Sequence, residues 1–205
     1  MSDQLTQHRI LNCATELFVQ QGFQKTTVRE ICRAAEANGA AVNYHFGDKS
    51  GLYKAVIEYA IQQKVESQDS PNSSPAARLR AWISHFVFSC LGQNSDLLSQ
   101  LMAHEMTKPT EFLALIVERV IAPKFAVLQE IVEEAAGSEL SAQRLQLLTV
   151  SIVSQSLVYD HCRPVIEIMM PEFAEHTPEK LEQLVDHITR SSLAMIKAFG
   201  DSPDV

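Results

Sequence analysis

The stretch "AAVNYHFGDKSGLYKAVI", Ala40 to Ile57, decides the fold of this chain. Val42 and Phe46 stand four positions apart, so they share one face of a short helix. A helix of this length is not stable alone, and its apolar face must pack on other helices. Three hydrogen-bonding side chains stand between the two apolar residues, and these are Asn43, Tyr44 and His45. A Gly-Asp-Lys corner then separates the short helix from a longer one.

Two further helices precede this stretch. Apolar residues at spacings of three and four predict a first helix over about Thr6–Gln21, and Gly22 is well placed for a left-handed C-terminal cap. Thr26 or Thr27 is expected to cap a second, short helix. Together with the turn "EANG" and a third helix over about Ala40–Phe46, this order predicts a helix-turn-helix.

The start of the third helix suits insertion into the major groove of DNA. Gly39, Ala40 and Ala41 are small, so this end of the helix can come very close to another surface. The amide of Asn43 can form two hydrogen bonds with the edge of an adenine. Donors on either side can reach phosphates, which position a protein on the duplex without reading its sequence.

The rest of the chain is predicted to be helical as well. Asp48 is expected to cap a fourth helix over about Lys49–Glu66. The polar segment Ser67–Pro75 is the clearest break, and it divides the chain into residues 1–66 and 76–205. Beyond it, the pattern predicts helices near Ala76–Leu91, Asp96–Met106, Thr110–Ala136, Ser141–Cys162 and Pro178–Phe199. Pro123 is expected to kink or split the third of these, Gly137 to end it, and an irregular piece is expected between Pro164 and Pro171.

Composition and charge narrow the class of protein. The chain has 205 residues and a net charge of -8. Residues 1–60 hold six basic and six acidic residues, so the excess of acid lies in residues 61–205. DNA is therefore tolerated at the N-terminal end and repelled elsewhere. Without a membrane-length apolar run or the apolar core of a signal peptide, we expect a cytoplasmic protein.

The four cysteines are scattered and form no CxxC pair. This pattern favours buried free thiols over a redox sensor, and a structural zinc site lacks paired ligands at close spacing. We expect neither a cofactor nor a metal ion.

The segment Arg9–Ile57 resembles the TetR family of one-component repressors, above all in "ELFVQQGFQKTTVREI" and "NYHFGDKSGLY". The later "SIVSQSLVY", Ser151–Tyr159, together with "AAVNYHFGDKSGLY", is similar to the CecR-like subgroup. The resemblance implies an all-α fold, with an N-terminal three-helix helix-turn-helix domain and a C-terminal helical ligand-binding and dimerisation domain. It also implies a homodimer that represses transcription from a palindromic operator until a small-molecule effector binds.

The resemblance assigns roles position by position. Tyr44 matches a phosphate-contacting aromatic residue, His45 can reach phosphate as well, and Lys49 opens the fourth helix, whose N–H groups favour phosphate. The alternative is that Tyr44 and His45 only cap and pack this corner. The predicted DNA-binding residues are Thr27, Arg29, Asn38, Gly39, Ala40, Asn43, Tyr44, His45 and Lys49.

One residue departs from the family pattern. Glu36 stands at the turn between the second and third helices, where the family usually has glycine because the position often needs a positive φ. Either the turn takes another path, or Glu36 accepts strain of about 1 kcal/mol or more. Glu36 also places a negative charge near the DNA.

The C-terminal region gives weaker signals. In the family, the last two long helices form a four-helix bundle with their copies in the partner subunit, whereas the alternative is that their apolar faces are ordinary core. These faces consist of Leu145, Leu148, Ile152, Ser156 and Leu157 on one helix and Leu181, Leu184, Val185, Ile188, Leu193 and Ile196 on the other.

Aromatic residues, methionines and a few polar groups in the middle helices suit an apolar effector that one or two hydrogen bonds fix. The same residues could equally be core. His104 and Glu105 are adjacent on a helix and do not face each other, so they do not predict a metal site. The candidate ligand-binding residues are Trp82, His85, Phe86, Met102, His104, Glu105, Met106, Phe112, Phe125, Gln155 and Tyr159.

Two other classes of protein are alternatives to a repressor. An enzyme is disfavoured because the chain has no glycine-rich phosphate loop, no GxSxG and no HExxH. A helical ligand-binding or interaction protein without sequence-specific DNA binding remains the alternative, supported by Glu36 and by the neutral charge of residues 1–60.

Overall fold

The computed structural model describes residues 2–63, 73–92, 96–173 and 175–200. These residues form helices and no strand, which confirms the predicted all-α class. Residues 67–72 of the predicted break lie outside the described residues. The helices are α1 Ser2–Lys25, α2 Val28–Ala34, α3 Gly39–Phe46, α4 Lys49–Gln63, α5 Pro75–Leu91, α6 Leu97–Thr107, α7 Leu113–Ile116, α8 Ala122–Ala136, α9 Ala142–His161, α10 Arg163–Met169 and α11 Pro178–Gly200, with a π segment Val117–Ile121 and a 3-10 turn Pro171–Phe173.

The chain divides into two compact units. The first comprises the described residues of 1–65 and 96–120, and the second those of 66–95 and 121–205. Helices α6 and α7 therefore belong to the same unit as α1 to α4. The assignment of DNA binding to 1–66, and of ligand binding and dimerisation to 76–205, stays a prediction. None of the described helices has the length and apolar character that a membrane span requires.

The core of the first unit lies between α1 and α4. The rings of Phe18 and Tyr53 meet edge to face, with centroids 4.7 Å apart. Val42 of α3 is fully buried, as predicted, whereas Phe46 is only half-buried. The fully buried residues of α1 and α4 recur at helical spacing and are Ile10, Ala14, Phe18, Leu52, Tyr53, Val56 and Ile57.

One buried carboxylate lies inside this first unit. Glu105 of α6 is 1% exposed and accepts a hydrogen bond of 2.8 Å from the Tyr53 hydroxyl. Thr110 donates its backbone N–H at 2.8 Å and its hydroxyl at 2.9 Å to the same carboxylate. A buried charge is tolerated when donors surround it in this way. Burial, and then the hydrogen bond to Glu105, raise the pKa of Tyr53 far above its ordinary value.

The core of the second unit lies between α5, α8, α9 and α11. Leu148, Ile152 and Ser156 of α9 are buried in it, and so are Leu181, Leu184, Val185, Ile188 and Ile196 of α11. Leu145, Leu157 and Leu193 pack partly buried against it. The structure therefore favours the alternative that these faces are ordinary core, and the pairing of α9 and α11 with a partner subunit stays a prediction.

One predicted helix is split as expected, and two boundaries differ from the sequence pattern. The helix predicted over Thr110–Ala136 is split near Pro123, since α7 passes into a π segment before α8 begins with Pro123 in its first turn. Proline is tolerated there because its missing N–H has no helical partner. The piece predicted to be irregular forms α10, and α1 resumes after Gly22, whose φ of 76° breaks the helix where its end was predicted.

The turn between α2 and α3 takes the strained path. The N–H of Glu36 donates to the Arg33 carbonyl at 3.4 Å, and the N–H of Ala37 donates to the Cys32 carbonyl at 2.9 Å. This pair of bonds is the Schellman arrangement, which usually places glycine at the position of Glu36. Among the described residues, Glu36 is the one non-glycine residue with positive φ, at 46°. Arg9 donates to its carbonyl oxygen at 3.2 Å.

We expect Glu36→Gly to raise the free energy of unfolding by about 1 kcal/mol, because glycine has no Cβ to clash at positive φ. Urea unfolding measures the change. Glu36→Ala removes the charge but keeps the Cβ, so it should bring no such gain. An equal gain in both variants would mean that charge, and not backbone strain, governs this turn.

The raised pKa of Tyr53 predicts a loss of stability at high pH. The unfolded chain ionises this tyrosine at a pH of about 10, whereas the folded chain keeps it protonated. Stability should therefore fall above that pH, and it should fall less steeply in Tyr53→Phe. Urea unfolding at a series of alkaline pH values tests this, and parallel curves for the two proteins would contradict it.

Candidate nucleic-acid interface

Helix α3 has one buried and one exposed face. The Asn38 side-chain oxygen caps its start by accepting a hydrogen bond of 2.9 Å from the Ala41 N–H. Val42 points into the core, while the Tyr44 side chain is 78% exposed. The exposed residues of this helix and its cap are those that the sequence singled out for DNA, namely Asn38, Gly39, Ala40, Asn43 and Tyr44.

Packing within the chain does not require a residue as small as Gly39 at the start of α3. A Cβ added to Gly39 would meet no atom within 4 Å. Gly39 and Ala40 are exposed, so they leave the backbone open to an outside surface. This is the geometry that a close approach to bases requires.

The corner between α3 and α4 fixes the direction of α3. Gly47 takes φ 81°, and the Asp48 carboxylate accepts a hydrogen bond of 2.8 Å from the Gly51 N–H. A Cβ on Gly51 would lie 2.0 Å from the Phe46 carbonyl oxygen, which is too close for any other residue. Helix α4 therefore begins in tight contact with the end of α3.

Lys49 lies at this corner, in the first turn of α4. Its ammonium nitrogen is 4.3 Å from the centroid of the Phe23 ring, a cation–π contact. Burial lowers the pKa of Lys49. The side chain is half-buried, and a phosphate contact from it stays a prediction.

His45 does not share the exposure of its neighbour. Its side chain is 8% exposed, and its Nε2 lies 3.2 Å from a carboxylate oxygen of Asp3. Its ring meets that of Tyr44 edge to face, with centroids 4.9 Å apart. This geometry favours the alternative for His45, namely that its side chain packs the corner, over a contact with phosphate. For Tyr44, which is exposed, the geometry favours the predicted phosphate contact.

At the start of α2, Thr27 caps the helix and Arg29 is exposed. Thr27 and Glu30 form a capping box, in which the Thr27 N–H donates to the Glu30 carboxylate at 2.9 Å and the Glu30 N–H donates to the Thr27 hydroxyl at 3.2 Å. The hydrogen bonds from Thr27 lower the pKa of Glu30. The Thr27 side chain is thus already occupied, and Arg29 is the better placed of the two for a phosphate.

The candidate ligand residues of the first unit are held by internal contacts. Glu105 is saturated by Tyr53 and Thr110, and the Nε2 of His104 lies 2.8 Å from the Val19 carbonyl oxygen. The ring of Phe112 contacts that of Tyr53, with centroids 5.5 Å apart. These contacts favour structural roles for His104, Glu105 and Phe112, and a role of these residues in ligand binding stays a prediction. Met102 is half-buried and Met106 is 50% exposed.

The candidate residues of the second unit form two groups. In the first, Trp82 and Phe86 stack with centroids 5.2 Å apart, and the Trp82 indole N–H donates to the Lys124 carbonyl at 3.2 Å. The Lys124 ammonium lies 3.2 Å from the Nε2 of His85. Phe125 is the next residue of α8, and it packs partly buried on the core, as Tyr159 does.

Gln155 belongs to the second group. Its amide donates to the Ser192 hydroxyl at 3.2 Å and accepts from the Ser191 hydroxyl at 2.6 Å. It therefore links α9 to α11. The sequence pattern missed Tyr53, Thr110 and Lys124, although a tyrosine on a buried apolar face does signal a buried acceptor for its hydroxyl.

Comparison with known proteins agrees with this architecture. The profile of the bacterial regulatory proteins of the TetR family matches residues 10–56. The profile of the C-terminal domain of the HTH-type transcriptional dual regulator CecR matches residues 75–196. The CecR protein of Shigella flexneri is 27% identical over 166 residues, which are 74% of each chain. AcrR of the same organism is 31% identical over 107 residues, half of each chain.

Solved structures share the fold. HlyIIR, a hemolysin II transcriptional regulator, superposes with a TM-score of 0.60 at 21% identity, over 92% of this chain and 97% of its own. AibR, in complex with isovaleryl coenzyme A and operator DNA, gives 0.64 at 20% identity, over 91% and 97%. The two profiles together cover most of the chain. It belongs to the TetR family of bacterial transcriptional regulators and carries a C-terminal domain of the CecR type.

Proposed function

We propose that this regulator is a cytoplasmic homodimeric repressor that binds a palindromic operator through α3 of each protomer and leaves it when a small-molecule effector binds. The observation that carries the proposal is the exposed face of α3. Asn43 and Tyr44 stand out from it, and Gly39 leaves space beside them. The exposed backbone and the hydrogen-bonding side chains of this surface suit contact with the edges of base pairs.

The roles on this face follow from chemistry and exposure. Asn43 reads an adenine through its amide, and Tyr44 and Arg29 bind phosphates. Lys49 adds a phosphate contact at the start of α4, where the free N–H groups also favour an anion. Asn38 holds the start of the helix, and His45 supports Tyr44 from behind. The excess of acid in residues 61–205 discourages DNA from binding elsewhere.

An outer apolar stripe on α9 supports the homodimer. Leu147, Val150 and Val158 are 62%, 56% and 44% exposed, although the other side of the same helix is buried in the core. Large apolar residues in such a row favour contact with another protein surface. A second copy that covers this stripe would supply the second recognition helix, and two such helices about 34–36 Å apart read a palindrome.

The effector is proposed to bind the second unit near Trp82 and Phe86. Their stacked rings suit a flat or apolar group, and His85 and Lys124 suit a polar or anionic one. AibR is bound to an acyl coenzyme A and to DNA in its structure, so the shared fold accommodates both kinds of ligand in that protein.

DNA binding is tested with fragments that the protein retains from its own genome, titrated at several salt concentrations. Saturable binding with a steep salt slope is expected. Asn43→Ala should lower the preference for the correct base pair by about 1–3 kcal/mol. Lys49→Ala should weaken all sequences about equally and reduce the salt slope by about one.

A selective loss in Lys49→Ala, or a uniform loss in Asn43→Ala, would contradict these roles. If no fragment is retained and no binding saturates, the alternative of a ligand-binding or interaction protein without sequence-specific DNA binding stands instead.

The dimer is tested with Val150→Asp. An unpaired carboxylate in a closed apolar interface costs several kcal/mol, so dimerisation should weaken by about a hundredfold or more. Sedimentation measures the change. Met106→Asp on α6 is the matched control, since Met106 is comparably exposed but belongs to the first unit, and it should stay dimeric. A Val150→Asp protein that remains dimeric would place the interface elsewhere.

A further inference from the structure

We propose that Glu105 is a positioning residue for DNA binding, which holds α4, and with it α3, through its hydrogen bond to Tyr53. The inference rests on the proposed function and adds the element that fixes the recognition helix. The carboxylate of Glu105 is buried at a position where an apolar side chain would fill the same space with a lower desolvation cost.

The bond between Glu105 and Tyr53 lies in an otherwise apolar contact. Tyr53 is fully buried, and its neighbours on α4, Leu52, Val56 and Ile57, are fully buried hydrophobic residues. Apolar burial is non-directional, so it specifies the register of two helices less sharply than a hydrogen bond does. A hydrogen bond of 2.8 Å to a buried carboxylate is directional, so it specifies one position of α4 along α6.

The position of α4 is passed on to α3 through their shared corner. Gly51 lies two residues before Tyr53, and the Phe46 carbonyl leaves no room for a Cβ on it. Because the two backbones touch there, a shift of Tyr53 moves the end of α3. Asn43 and Tyr44 lie within one turn of that end.

The same turn of α6 also holds α1. His104, the residue before Glu105, lies 2.8 Å from the Val19 carbonyl oxygen. It packs on the interruption of α1, where a Cβ on Gly22 would come 3.0 Å from its Nδ1. Adjacent residues of a helix point in different directions, so one turn of α6 fixes both long helices of the first unit.

The turn that begins α7 completes the arrangement. Thr110 donates twice to Glu105, and the Phe112 ring contacts that of Tyr53. From here the chain runs through α7 into the π segment Val117–Ile121, and the division between the two units falls after Val120. π segments are common at functional sites.

The experiment compares operator binding by the wild type, Tyr53→Phe, Glu105→Met and the double variant, well below each melting temperature; methionine fills a similar space but has no oxygen to accept the Tyr53 hydrogen bond. Each single change should weaken operator binding about five- to tenfold, because the binding-competent position is populated less often. The salt slope should stay unchanged, since no phosphate contact is removed. The double variant should be no weaker than Glu105→Met alone, because that change already removes the bond to Tyr53.

Tyr59→Phe is the matched control, a half-buried tyrosine on the same helix, and it should bind within about twofold of the wild type. Amide hydrogen exchange gives a second readout without DNA. Tyr53→Phe should speed exchange in α3 and the first half of α4, and Tyr59→Phe should not.

Unchanged operator affinity in folded Tyr53→Phe and Glu105→Met would overturn the inference, and so would tighter binding. If the wild type itself binds no operator, the proposed function fails, and exchange in α3 then decides whether Glu105 holds the helix at all. Exchange that is unchanged in Tyr53→Phe would refute that positioning role independently of DNA.

Discussion

The contact between the backbones of α3 and α4 at Gly51 is the constraint on which the DNA-facing surface depends. Helix α3 has eight residues and buries only Val42 completely, so its own packing cannot hold it. The corner supplies what is missing, because the Phe46 carbonyl has no room to move against the start of α4. The exposure of Asn43 and Tyr44 is a consequence of this support.

The support continues inward from the corner. Tyr53 is buried two residues after Gly51, where it meets Phe18 of α1 and the carboxylate of Glu105. Apolar burial provides most of the stability here, about 1.5–3 kcal/mol for each large side chain. The hydrogen bond adds direction to that stability, so the first unit combines a strong, non-specific attraction between helices with one specific register.

The sequence predicted the helices better than it predicted their partners. Thr27, Asp96 and Ser141 were expected at helix starts and do cap them, because a cap acts within three residues of the chain. The contacts of His45 and Glu105 could not be predicted, for the opposite reason. Their partners Asp3 and Tyr53 lie 42 and 52 positions away, and periodicity contains no information about contacts at that distance. Glu36 was left between two paths, which only the backbone could decide.

The comparison of α9 with α11 shows what an apolar pattern does reveal. On α11 the apolar residues lie on one side, and the exposed side carries Glu182, Asp186 and Arg190, so the helix needs one apolar partner. On α9 they lie on two sides, with Ile152 in the core and Leu147 and Val150 outside. A helix that is apolar on two sides packs against two surfaces, and the described helices cover one of them. The positions of the apolar residues, more than their number, thus support the proposed dimer interface on α9.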